Sequence, residues 1–229
     1  MAPTAGRVAL ALAVLWGVLV GLGLLITKVL EHTWPLTQED AVNRSLAEGR
    51  TPEMNDVTYV LSGLGNTGAI IGAMVVVAIF LRLALKRWRE SVFLVLAVSA
   101  QALVFLLTTL VISRNRPEVR HLDASPPTSS FPSGHTGAAT ALFVASALIV
   151  AWNVRNRLAK IVGITLLVAV PLLVAYGRLY RGMHHPTDVL GSYINGLTCI
   201  VIASSAVLGR RLRGERKNPL PAPVTAGAR

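Results

Sequence analysis

Six stretches without Asp, Glu, Lys or Arg divide the sequence, and they restrict its possible folds more than any other feature. They are residues 8–27, 57–81, 91–113, 136–153, 161–177 and 189–209. Each has roughly the 17–25 residues that a helix needs to cross a bilayer. Charged residues make up only 14% of the chain, against about 25% in soluble domains. We therefore predict an all-α, polytopic membrane protein with six transmembrane helices.

Two of these stretches allow another interpretation. Residues 8–27 could form a cleaved signal peptide, but they follow a single basic residue, Arg7, and exceed the roughly 7–15 apolar residues of such a peptide. We interpret this stretch as a retained span. Residues 161–177 form the shortest stretch and contain Pro171, which transmembrane helices tolerate.

The net charge of +11 is distributed unevenly among the connections. The amino terminus, the second and fourth connections and the tail together hold 14 Lys and Arg but two acidic residues. The other connections hold eight Lys and Arg and nine acidic residues; they are residues 28–56, 114–135 and 178–188. Because basic residues concentrate in cytoplasmic loops, both termini are expected to be cytoplasmic. The charge thus indicates topology and contact with anionic membrane lipids, and not nucleic-acid binding.

The chain is predicted to form one domain, residues 1–213, followed by a disordered cytoplasmic tail, residues 214–229, rich in Pro and Ala. Within the long connection after the first span, residues 38–50 are expected to form an amphipathic helix on the membrane surface. The single cysteine, Cys199, excludes an internal disulfide and is expected to be a small buried side chain.

Three polar clusters lie at span ends on the side predicted to be extracytoplasmic. They are SRNRP at 113–117, PSGH at 132–135 and GRLYRGMHHPTD at 177–188. Short connections between antiparallel helices bring such ends together. We therefore expect the three clusters to form one site.

The residue types in these clusters suit a phosphoryl group. Arg116 and Arg178 are permanently charged forks that match phosphate oxygens. Residues 132–134 are expected to leave backbone N–H groups free at the start of a helix, where the helix dipole favours anions. Ser133 adds a hydroxyl donor, and Gly134 allows close approach of a ligand.

Two histidines could supply the chemistry. His184 precedes Asp188 by four residues, so the carboxylate could hold one ring nitrogen and leave the other as a nucleophile. His135 could then act as a general acid and base. His185, three residues before Asp188, satisfies helical geometry equally well.

The combination of RP, PSGH and R-x5-H-x3-D resembles the three motifs of the type 2 phosphatidic acid phosphatases, the lipid phosphate phosphatase superfamily. The resemblance implies a metal-independent hydrolase of phosphoric monoesters or diphosphates, without a cofactor, that forms a phosphohistidine intermediate. It assigns His184 as nucleophile, Asp188 as its partner and His135 as acid and base. It implies four phosphate ligands: Arg116, Ser133, Gly134 and Arg178.

The sequence departs from the family pattern at two positions. Thr109 stands where the first motif has its lysine, and Gly177 stands where the third motif has a serine. The neighbouring Arg114 is a possible accessory cation for the phosphate, and His185 is a possible lining residue of the pocket.

The same residues allow other roles. Arg178 and Arg181 could be lipid-facing anchors of the fifth span; we favour that role for Arg181 and phosphate binding for Arg178. A zinc site at the histidines is disfavoured, because nearby arginines repel cations and a third ligand is lacking. His32 and His121 are interpreted as ordinary loop residues.

The function predicted is hydrolysis of a lipid phosphate or diphosphate at the outer leaflet of the cell membrane. An undecaprenyl diphosphate-like carrier lipid, recycled for cell-wall synthesis, is the substrate favoured by the resemblance to the bacterial branch. Phosphatidylglycerophosphate and phosphatidic acid are alternatives. A non-enzymatic lipid or anion transporter with a phosphate-binding mouth is the alternative of another class, to which Thr109 lends some support.

Overall fold

The computed structural model describes residues 2–30, 33–125 and 127–217, and every regular element in these ranges is helical. The α-helices are α1 (Ala2–Leu24), α2 (Glu39–Glu48), α3 (Pro52–Gly63), α4 (Thr67–Leu85), α5 (Arg89–Val111), α6 (Gly134–Ala139), α7 (Ala145–Asn153), α8 (Arg157–Tyr180) and α9 (Pro186–Lys217). A π-helical turn (Leu25–Val29) extends α1, and another (Thr140–Val144) joins α6 to α7.

Within the described ranges, six helical segments are long and apolar enough to cross a membrane. They are Ala5–Val29, Thr67–Leu85, Arg89–Val111, Gly134–Asn153, Arg157–Tyr180 and Pro186–Val207. The predicted six spans are thus confirmed, including the one that contains Pro171, which lies within an uninterrupted α8. The orientation of the termini stays a prediction.

The bundle is held together at its centre by close contacts among α1, α5 and α9. Leu19, Val104 and Cys199 are buried in one apolar cluster that joins these three helices. Small residues allow the closest approaches, as is usual between membrane helices. A Cβ at Gly196 on α9 would lie 2.8 Å from the Cβ of Thr140. Cys199 is the small buried side chain that was expected.

The second predicted span, residues 57–81, is wrong in its boundaries. The structure breaks this apolar stretch into α3 and α4, with a turn between them, and the span begins at Thr67. The Asn66 side chain caps α4 by accepting a hydrogen bond from the Gly68 N–H at 3.0 Å. Gly65 lies against the His135 backbone, where a Cβ would be 2.8 Å from the carbonyl oxygen. The turn therefore packs directly on the PSGH segment.

The predicted helix at residues 38–50 exists as α2, but its polar face packs against the protein. Glu39 and Asn43 are buried, whereas Val42 is 43% exposed. The Asn43 side chain donates to the His184 carbonyl at 3.1 Å. α2 therefore lies over the third polar cluster.

Two predictions fall at the edges of the described ranges. The last helix continues to Lys217, and residues 218–229 of the predicted tail lie outside the described residues. The domain division at 213 stays a prediction. His32 also lies outside the described residues.

Candidate active site

The three polar clusters meet around one cavity of about 740 Å³. Residues from all three line it: Arg116, Gly134, His135, Arg178 and His184. The α3–α4 turn, the start of α4 and the middle of α5 complete its wall. The expected convergence is therefore present in the fold, and the chemical roles of these side chains stay predictions.

The irregular connection between α5 and α6 is held at both ends, which fixes the first two clusters relative to each other. Near its ends, Ser130 N–H donates to the Arg114 carbonyl at 2.9 Å, and Arg114 N–H donates to the Ser129 hydroxyl at 3.2 Å. In its middle, Leu122 N–H donates to the Arg181 carbonyl at 3.1 Å. The connection is thus bonded to the third cluster as well.

His184 is buried, with 4% of its surface exposed, and its ring lines the cavity. Its Nδ1 lies 2.8 Å from the Ser130 carbonyl oxygen. Because a carbonyl oxygen can only accept, Nδ1 carries the proton and Nε2 keeps its lone pair. Burial lowers the pKa of His184 below its ordinary value of 6.5, although the nearby Asp188 acts in the opposite direction. The imidazole is therefore neutral at neutral pH.

The contact between His184 and Asp188 differs from the one expected. Nδ1 lies 3.6 Å from Asp188 Oδ2, which is beyond hydrogen-bond distance. Ser130 connects the two residues: its carbonyl accepts from His184, and its hydroxyl donates to Asp188 Oδ2 at 2.5 Å. The carboxylate thus acts on the imidazole through Ser130 and through its charge.

Asp188 is fully buried behind the histidine. Besides Ser130, it accepts hydrogen bonds from Arg114 Nη1 at 2.5 Å and from the His185 N–H at 2.8 Å. Three donors therefore hold the carboxylate in place. Arg114, expected as an accessory phosphate ligand, points at carboxylates and is absent from the cavity wall described above.

His185 differs from His184 in its surroundings. Its Nδ1 lies 3.4 Å from Asp188 Oδ2, and its Nε2 lies 3.5 Å from Asp40 Oδ1. Only His184 of the two histidines is among the residues that line the cavity. The arrangement therefore favours His184 over its neighbour as the reacting group.

The two arginines of the cavity are held by polar partners. Arg116 Nη1 donates to the Met183 carbonyl at 2.7 Å, and burial lowers the pKa of its guanidinium. Arg178 Nη1 donates to Ser62 Oγ and to Asp123 Oδ2, both at 2.9 Å. The Nε of Arg178 is buried without a hydrogen-bond partner in the described part of the chain. Such an orphaned donor requires an explanation, and a bound anion is one.

The PSGH segment differs from its expected arrangement. Ser133 is buried; its hydroxyl lies 3.1 Å from Thr136 Oγ1, and its N–H donates to the Asp188 carbonyl. This N–H is therefore not free, because the start of α9 already uses it. Gly134 does line the cavity, and a Cβ there would lie 2.9 Å from the Phe105 ring.

The prediction that Arg181 is a lipid-facing anchor is wrong. Arg181 is 5% exposed, and its Nε donates to Asp123 Oδ1 at 2.9 Å. It also donates to the Asn55 and Leu122 carbonyls. Thr109, at the position of the family lysine, donates to the Leu106 carbonyl of its own helix. It leaves no cation at that place.

Three residues of the site were not predicted: Glu39, Asp123 and Ser130. Each makes contacts with partners more than fifty residues away, as shown for Glu39 with Arg114, Asp123 with Arg178 and Ser130 with Asp188. No spacing in the sequence signals such pairs.

Comparison with known proteins now decides the family. The PAP2 superfamily profile matches residues 90–212, more than half of the chain and all three polar clusters. The chain belongs to the PAP2 superfamily. PAP2 family phosphatases are phosphoric monoester hydrolases, so the chain belongs to a family of membrane phosphatases.

Known proteins are similar to the chain, one in sequence and two in fold. Phosphatidylglycerophosphatase B of Bacillus subtilis is 27% identical over 161 residues, which cover 69% of this chain and 78% of that protein. The crystal structure of the transmembrane PAP2-type phosphatidylglycerolphosphate phosphatase from Bacillus subtilis superposes with a TM-score of 0.71, covering 92% of this chain and 98% of that one at 21% identity. Aquifex aeolicus LpxE gives a TM-score of 0.57 over 71% of this chain and 92% of its own, at 22% identity.

Proposed function

We propose that this PAP2 protein hydrolyses a lipid phosphate through a phosphohistidine formed on His184. The observation that carries the proposal is that His184, His135, Arg116 and Arg178 line one cavity. A nucleophile, a proton donor and two permanent cations are the groups that phosphoryl transfer requires.

Arg116 and Arg178 bind the phosphoryl oxygens. Both guanidinium groups lie at the cavity wall, and Arg178 has the orphaned Nε donor. Charge-assisted hydrogen bonds from arginine forks stabilise the charge on the transferring group, which is usually the largest contribution to such catalysis. No step of this mechanism requires a metal ion.

The reaction proceeds in two displacements. His184 Nε2 attacks phosphorus while the bond from phosphorus to the lipid oxygen breaks, and His135, as the general acid, gives a proton to that oxygen. Water then attacks the phosphorus of the phosphohistidine, and the P–N bond breaks. His135 takes the proton from the water, and inorganic phosphate leaves.

A lipid substrate is favoured by the apolar part of the cavity wall. Ile71 on α4 and Leu106 on α5 line the cavity, and each is about half exposed on the lipid-facing surface of the bundle, at 51% and 53%. A headgroup can therefore reach His184 while its acyl or prenyl chain stays in hydrocarbon. By the charge distribution of the loops, this end faces the extracytoplasmic side of the cell membrane.

We propose phosphatidylglycerophosphate as the first substrate to test, because the Bacillus subtilis relative is a phosphatidylglycerophosphatase. An undecaprenyl diphosphate-like carrier lipid, with a role in cell-wall synthesis, and phosphatidic acid are the other members of the same chemical class.

The decisive experiment measures phosphate release from these three lipids by the purified full chain in detergent with EDTA. We expect release by the wild-type protein, and loss of it in His184→Ala but not in His121→Ala, a histidine of the same outer region outside the cavity wall. A brief pulse with labelled substrate should place acid-labile phosphate on His184. Binding without any release would favour the transporter alternative, and label on His185 would contradict the proposed nucleophile.

The orientation of the site has its own test. Ser125 is exposed on the α5–α6 connection, whereas Cys199, the single cysteine of the sequence, is buried. A Ser125→Cys variant should react with an impermeant maleimide added outside intact cells. Labelling from the cytoplasmic side alone would reverse the topology.

A further inference from the structure

The polar face of α2 is turned toward the protein, at a place where a surface helix would bury apolar side chains. Its buried residues are Glu39 and Asn43, one helical turn apart. Burial of a carboxylate is unfavourable unless it is paired and hydrogen-bonded. The partners of Glu39 therefore indicate what this helix is for.

Glu39 joins two segments that surround the candidate nucleophile. Arg114 Nη2 donates to Glu39 Oε2 at 2.6 Å. The Thr187 N–H, in the first turn of α9, donates to Glu39 Oε1 at 2.7 Å, and the Thr187 hydroxyl donates to Oε2 at 3.1 Å. One carboxylate thus fixes both an arginine from the first polar cluster and the helix start that carries Asp188.

Arg114 passes this constraint to Asp188. Its Nη1 donates to Asp188 Oδ1 at 2.5 Å and to the Thr187 hydroxyl at 2.7 Å. Its side chain is only 12% exposed. The guanidinium therefore lies between two carboxylates, and each of them limits the positions that the other allows.

The second buried residue of α2 acts on the same segment. Asn43 donates to the backbone carbonyl of His184, so the helix holds both the backbone of the histidine and, through Arg114, the carboxylate behind it. No residue of α2 is among those that line the cavity.

From these contacts we propose that Glu39 is a positioning residue for the reaction. Acting through Arg114 and Thr187, it fixes Asp188 and hence the Ser130–His184 pair. The inference rests on the proposed function and assigns Arg114 to the support of Asp188, although the sequence suggested it as a phosphate ligand.

The test compares Glu39→Gln with Glu48→Gln, which makes the same change at an exposed position of the same helix. We expect kcat to fall on the order of 10-fold in Glu39→Gln, the effect of losing one hydrogen bond to a charged group. The inhibition constant of inorganic phosphate should stay unchanged, because Arg116 and Arg178 are untouched. Glu39→Asp should recover part of the loss, and Glu48→Gln should behave as wild type.

Three outcomes overturn the inference: wild-type kcat in Glu39→Gln, a parallel change in kcat and in phosphate inhibition, or equal losses in Glu39→Gln and Glu48→Gln. If Glu39→Gln does not fold, Thr187→Val carries the test, with the same pattern and a smaller fall in kcat. An inactive wild-type protein would contradict the proposed function itself, which is a separate result.

Discussion

Two aspartates of the site have arginine partners, but they differ in their position relative to the cavity. Asp188 is sealed behind His184, with none of its side chain exposed, and is bonded to Arg114, Ser130 and a backbone N–H. Asp123 lines the cavity, is 23% exposed, and is bonded to Arg178 and Arg181. Both are ion-paired carboxylates at one site, yet only Asp123 is where a phosphate would approach.

The difference shows that an ion pair near a site does not by itself define a role. In the proposed mechanism Asp188 shares no partner with the phosphate, so its pairing is expected to persist while substrate is bound. In the same proposal Asp123 shares Arg178 with the phosphate, and the two anions repel each other. Burial raises the pKa of Asp123, but the Arg181 hydrogen bond and the charges of Arg178 and Arg181 outweigh it and hold this pKa below 3.8. Asp123 is therefore charged at neutral pH.

The largest expected difference between the two aspartates is in kcat, when each is neutralised in turn. Asp188→Asn should lower kcat on the order of 10³-fold or more, the scale seen when a carboxylate that orients a reactive imidazole is neutralised. Asp123→Asn should change kcat by less than about 10-fold, because a partly exposed ion pair contributes little. Steady-state kinetics on the same lipid phosphate measures both.

Thermal unfolding of both variants serves as the control for this comparison. Arg114 keeps Glu39 as a partner in Asp188→Asn, so no buried charge is left unpaired and the protein should fold. Equal losses of kcat in the two variants would show that the two aspartates do not differ in role.

Arg178, the partner of Asp123, and Arg114, the partner of Asp188, should differ in the kinetic constant that they control. Arg178→Gln should weaken inhibition by inorganic phosphate by about 10–100-fold, since it removes charge-assisted hydrogen bonds to the anion. Arg114→Gln should leave phosphate inhibition unchanged and lower kcat. Phosphate inhibition constants, determined alongside kcat, check this. Weaker phosphate binding in Arg114→Gln would return Arg114 to the role of an accessory ligand.

The sequence predicted the spans and the convergence of the three polar clusters because both leave local signals. A run without charges marks a span, and the R-x5-H-x3-D spacing places His184 and Asp188 on one helix start. The break between α3 and α4 left a weaker signal, because Leu64, Gly65 and Asn66 form a turn inside a stretch that is apolar overall. Hydropathy does not register such a turn.

The ion pairs of the two aspartates and of Glu39 could not be predicted from the sequence. Arg114 and Glu39 are 75 residues apart, and Arg178 and Asp123 are 55 apart. Whether an arginine binds phosphate or a carboxylate depends on which acidic side chain the fold brings to it. Arg181 was misjudged for this reason, and the same packing kept the Ser133 N–H from being free. The accessory phosphate role suggested for Arg114 stays a prediction.

The pH dependence of activity should reflect the buried environment of His184 and Asp188. The nucleophile reacts as the neutral imidazole, so activity is lost as pH falls through the pKa of His184, which burial places below 6.5. The acid limb of kcat/KM should therefore lie below pH 6.5. Because the substrate phosphate also ionises, NMR titration of ring-labelled histidine, assigned with His184→Asn, gives the pKa directly. A midpoint above 6.5 would mean that Asp188 outweighs burial.

The smallest expected effect concerns Asp123 and its partner Arg178. If Asp123 and phosphate compete for Arg178, Asp123→Asn should strengthen inhibition by inorganic phosphate a few-fold, because the neutral amide no longer repels the anion. The gain should be largest at low salt and shrink as ionic strength rises, since partly exposed charges are screened. Asn can still accept a hydrogen bond from Arg181, which limits the disturbance to the connection. Weaker phosphate inhibition in this variant would mean that Asp123 holds Arg178 ready for the substrate, as Asp188 holds the histidine, and the two aspartates would then have the same kind of role.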